Sequence, residues 1–131
     1  MHEMLSRAKE KDYGEWVYGW YCRYPFGKWP LKDAIIPSEE AESGYHHFVE
    51  VDPSTVGLFT ELTDVNDISI FEGDIVSHDS YNFPLVVKWD AGGFYLVNQE
   101  TFYSYLDYYC ASDCTVIGNC WDNPELLKKE E

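Results

Sequence analysis

Strand-like runs recur about every eight to twelve residues along this chain, and glycine or proline stands between them. "EWVYGWYCRY" alternates large side chains around Gly19, the pattern of a strand with a bulge at the glycine. "PFGKWP" carries two prolines and a glycine and reads as a loop. "LKDAIIPSEEAESG" holds a short apolar patch, Pro37 and an acidic loop, with mobility expected over Ser38–Gly44. "YHHFVEVD" resumes strand character until Pro53. "DIVSHDS", "PLVVKW", "FYLVN" and "CTVIGNCW" are further strands, and Gly92-Gly93 suits a hairpin turn. "STVGLFTEL" and "TFYSYLDYY" fit either a strand or a helix. "RAKEKDYG" reads as a charged stretch that ends in a turn. "DNPELLKKEE" has a helix start: Asp122 or Asn123 as cap, Pro124 at the first position, Glu125 against the dipole. So short a helix depends on docking Leu126 and Leu127.

This spacing excludes alternating β-α units and predicts a mainly β fold, a small sandwich or barrel with a short C-terminal helix. The aromatic share of 18% points the same way, because aromatic side chains favour strands. The 131 residues fit a single domain, 1–131. The weakest boundary lies near residues 60–66, which leaves an N-terminal lobe 1–60 and a C-terminal barrel lobe 61–131 as the alternative.

Charge bounds the partners. Nine Lys and Arg stand against 24 Asp and Glu, a formal net charge of −15. Such a chain repels phosphate backbones at long range, so nucleic-acid binding loses its main driving force. A basic protein partner is the complementary expectation. The opening "MHEMLSRAKEKDYG" has no apolar stretch of signal-peptide type, and no run approaches the ~20 apolar residues of a membrane span. A reducing cytoplasm is therefore expected.

The cysteines at 110, 114 and 120 are spaced C-x3-C-x5-C and invite a zinc reading, but no second compact pair accompanies them. Free thiols, no metal and no cofactor are the expectation. Adjacent His46 and His47 point to opposite faces of an extended chain, and His78 stands alone in the sequence. In "FEGDIV", Glu72 and Asp74 could supply an acid and a base or hold a divalent ion. The local physics favours a corner between strands: Gly73 takes positive φ, Asp74 bonds nearby backbone, and Ile75 opens a strand. No nucleophile, base and oxyanion donor assemble by spacing, so no catalytic residues are assigned. The aromatics are the other candidate surface. Trp16, Trp20, Tyr103 and Tyr105, with Glu72 and Asp74, form the expected partner-binding set.

Three segments resemble the YopX family of phage and prophage proteins: "RAKEKDYGEWVYGWY", "VDPSTVGLFTELTDVNDISIFEGDIV" and "VIGNCWDNPELL". The chain departs from the family pattern at Glu61, where a glycine is usual, and at Asn66-Asp67, where Asn-Gly is usual. The resemblance implies a mostly β fold with an SH3-like barrel element, working in the cytoplasm of a bacterial host. It implies no known reaction. The reading is a non-enzymatic binding or regulatory module that contacts a host or phage protein, with self-association through exposed strands left open. The alternatives are direct nucleic-acid binding through the barrel and a metal-dependent hydrolase built on Glu72, Asp74 and a histidine.

Overall fold

Glycine, proline and Asx turns cut the chain into eleven strands among the described residues. The computed structural model describes residues 5–38, 47–90 and 92–127. They are β1 (Ser6–Lys9), β2 (Trp16–Tyr24), β3 (Lys32–Pro37), β4 (Val49–Glu50), β5 (Gly57–Thr63), β6 (Ser69–Phe71), β7 (Asp74–His78), β8 (Leu85–Asp90), β9 (Gly93–Asn98), β10 (Thr101–Tyr105) and β11 (Cys114–Asn119). One short helix, α1 (Tyr108–Ala111), precedes β11. The pairings β1–β2, β1–β5, β2–β3, β3–β4, β7–β8, β7–β11, β8–β9 and β9–β10 are antiparallel. The chain divides into two units, residues 1–59 and 60–131.

In the first unit the neighbours run β4-β3-β2-β1, followed by the start of β5. Val17 faces Ala8 across β1 and β2, and Tyr21 faces Ile35 across β2 and β3. Ala8, Ile35 and Val51 form the buried centre. The charged "RAKE" stretch is thus an interior strand, against the expectation of a charged approach to a turn. Its alternation hides the signal: Ala8 is the one apolar side chain of β1 turned into the core. Arg7 is buried beside Trp16, its guanidinium carbon 4.6 Å from the ring centroid. The 3₁₀ turn Pro53–Thr55 is capped by Asp52, whose carboxylate accepts from the Ser54 N–H.

The second unit carries the order β10-β9-β8-β7-β11. It is a mainly β, open sheet, not the closed barrel that the spacing allowed: β10 and β11 are outer strands, each with one neighbour. Both faces are apolar. One face buries Val76, Leu85, Val87 and Leu96 with Ala111 of α1. The other buries Ile75, Val86 and Val97, with Cys120 and Leu127 packed on them. "TFYSYLDYY" is both strand and helix. Asp107 separates them, since its carboxylate accepts from the Cys110 N–H at 2.8 Å and caps α1.

The C-terminal helix is a single 3₁₀ turn, Pro124–Leu127, in which Leu127 docks and Leu126 is exposed. Lys128 and Lys129 lie outside the described residues, as do His46 and all of the expected mobile stretch after Ser38.

Candidate functional site

The "FEGDIV" question has a geometric answer. Gly73 sits at φ +90°, and a Cβ there would run into the Trp121 ring. Its N–H donates to the Val87 carbonyl, and its own carbonyl accepts from the Cys120 N–H. Asp74 is 2% exposed, and its carboxylate accepts from the Phe71 N–H at 2.7 Å. The segment is a strand corner held by its own side chain. Asp74 is therefore corrected out of the partner-binding set, because a buried carboxylate offers no surface. Glu72, its neighbour beyond Gly73, is half-buried. Neither belongs to a cluster of three or more metal-ligand side chains among the described residues.

Tyr103 and Tyr105 separate by the register of β10 on β9. Phe102 faces Val97, Ser104 faces Leu96 and Tyr105 faces Tyr95, so a bulge falls at Tyr103. Facing residues share a side of the sheet. Tyr103 turns inward and packs 4.9 Å from Phe83 and 5.3 Å from Tyr81 between ring centroids. Its role is core packing, a correction to its expected place on the surface. Tyr105 is 60% exposed and Phe102 is 51% exposed, with ring centroids 5.0 Å apart. Both stand on β10, an outer strand. Tyr108 and Tyr109 of α1 follow, 73% and 79% exposed. Trp16 and Trp20 of the first unit are half-buried, and Trp16 is occupied by Arg7 and Lys9. Sequence reasoning named Tyr105 but missed Phe102, because alternation without the bulge puts Phe102 and Tyr105 on opposite faces.

A second cluster was not expected. Cys114 opens β11 directly opposite His78, the last residue of β7. Cys110 on α1 lies one turn back along the chain. The ligand atoms of His78, Cys110 and Cys114 all lie within 4.8 Å of one another. Cys114 is fully buried and the other two are half-buried. The Ser104 hydroxyl stands 3.8 Å from the Cys110 sulfur, and His78 Nδ1 accepts from the Ser80 N–H at 3.0 Å.

The Cys114 thiol lowers its neighbour's pKa by hydrogen bonding. Burial opposes this, while the Ser104 hydroxyl and the His78 ring assist. Together they bring Cys110 down to about 6. Cys114 is pushed up, first by giving that hydrogen bond and then by burial. Cys120 lies on the other face of the sheet, so the C-x5-C spacing brings nothing together.

The β7–β11 register also explains Asp64. Its carboxylate accepts from the N–H groups of Asn66, Ile68 and Val116, and Val65 donates to the Cys114 carbonyl. This turn secures the start of β11 and with it Cys114.

A sequence profile of the YopX protein family matches residues 6–128, a span that includes all three resembling segments. The chain belongs to the YopX family. No curated protein matches it. Glu61 and Asp67 hold positive φ, +66° and +64°.

Proposed function

We propose that this YopX-family chain is a non-enzymatic binding module, encoded by a phage or prophage, that acts in the bacterial cytoplasm by contacting a basic protein. The observation that carries the reading is the β10 edge. An outer strand with exposed Phe102 and Tyr105 offers both a sheet edge, with no second strand beside it among the described residues, and aromatic anchors to an incoming segment. The net charge of −15 favours a basic partner and disfavours nucleic acid. The strand order also fits an opened SH3-like meander: β7 lies between β8 and β11, and a single helical turn precedes the last strand. That supports the SH3-like element of the reading.

Affinity capture from a bacterial lysate, with and without nuclease, tests it. A stoichiometric basic protein that survives nuclease and is lost from the Phe102→Ser/Tyr105→Ser variant is expected. Capture of nucleic acid instead, or equal capture by the variant, refutes the reading.

A further inference from the structure

We propose that His78, Cys110 and Cys114 form a binding site for a zinc-class transition metal ion. Three separate features of the fold converge there. The β7–β11 register sets His78 and Cys114 side by side on one face. The Asp107 cap fixes α1, and α1 carries Cys110 over the pair. The Asp64 turn holds the first residues of β11 through Val65 and Val116.

The ligand atoms, all within 4.8 Å of one another, need only a small contraction to surround one ion. Two thiolates and an imidazole are the donor set that selects zinc over magnesium or calcium. Two thiolate charges also neutralise a dication, which suits a site whose inner ligand, Cys114, is wholly out of solvent. Three protein ligands leave the fourth tetrahedral position to water or an exogenous group. The Ser104 hydroxyl is placed to donate to the Cys110 sulfur from outside the ligand set. Binding through His78 Nε2 moves the ring proton to Nδ1 and releases the Ser80 N–H. Ser80 is exposed, so that group returns to water.

The test uses the full chain, reduced, stripped with chelator and titrated with Co²⁺ without oxygen. One equivalent should bind, with a thiolate-to-cobalt charge-transfer band and tetrahedral d–d bands that Zn²⁺ abolishes. Cys110→Ser and His78→Gln should each weaken binding by roughly a hundredfold. Cys120→Ser, on the opposite face of the sheet, should titrate like the unaltered chain. If Cys110→Ser unfolds by circular dichroism, His78→Gln alone decides. The proposal is overturned if the reduced chain shows no charge-transfer band. It is overturned equally if His78→Gln keeps the tight titration, or if Cys120→Ser loses it. A chain that forms only a Cys110–Cys114 disulfide, with no metal affinity when reduced, overturns it as well.

Discussion

At Glu61 and Asp67 the backbone holds positive φ without glycine. The left-handed region strains an ordinary L-residue by about 1–2 kcal/mol, and less for Asp. Glycine removes that strain but adds about 0.5–1 kcal/mol of unfolded-state freedom. Glu61→Gly should therefore stabilise the chain by about 0.5 kcal/mol, read as a higher urea midpoint, whereas Glu61→Ala should not. Equal midpoints for the two variants would show that the strain is not released.

Asp64 acts in the opposite sense. Burial works to raise its pKa, and the N–H groups of Val116, Ile68 and Asn66 outweigh it, so the carboxyl ends below its ordinary 3.8. A group with a depressed folded pKa stabilises fully above its unfolded pKa, and that stabilisation is lost as pH falls through the folded pKa. Asp64→Asn should cost about 2 kcal/mol at neutral pH, since the amide keeps one acceptor oxygen for three donors. The deficit relative to the unaltered chain should shrink in denaturation followed as pH falls below the ordinary 3.8. A deficit independent of pH would assign the loss to packing.

Among the elements, β10 matters most because it is an outer strand of its sheet that carries exposed aromatic rings. Exposed aromatics on an outer strand contribute little to folding, so Phe102→Ser/Tyr105→Ser should shift stability by about 0.5 kcal/mol or less. The same pair should weaken partner binding by tenfold or more, about 1.4 kcal/mol, by calorimetry. A large drop in melting temperature would instead place both rings in the folding core. Only part of this edge was legible beforehand: Tyr105 stood out in the aromatic run "TFYSYLDYY", which fitted a strand or a helix. The bulge at Tyr103 was not, because it depends on which residues of β9 stand opposite. The "FEGDIV" corner was legible for the converse reason, since glycine and Asx chemistry act within a few residues.

Over the whole molecule, the net charge of −15 makes a distinct prediction. Affinity for a basic partner should fall roughly tenfold as salt rises from ~0.05 to ~0.5 M, with most of the change in the association rate. Binding indifferent to salt would leave the aromatic edge as the recognition surface and remove charge from the account. The sequence by itself determined the mainly β class, most strand positions, the family and the strand corner, though not the open sheet, because each rests on short-range signals: periodicity, turn residues and motif spacing. Tertiary structure alone decided that charged β1 is an interior strand, that Asp74 is buried, and that Tyr103 and Tyr105 part company. It also decided that His78 joins Cys110 and Cys114. Each of these depends on what stands opposite or beside a residue once the strands have paired, which no local pattern encodes.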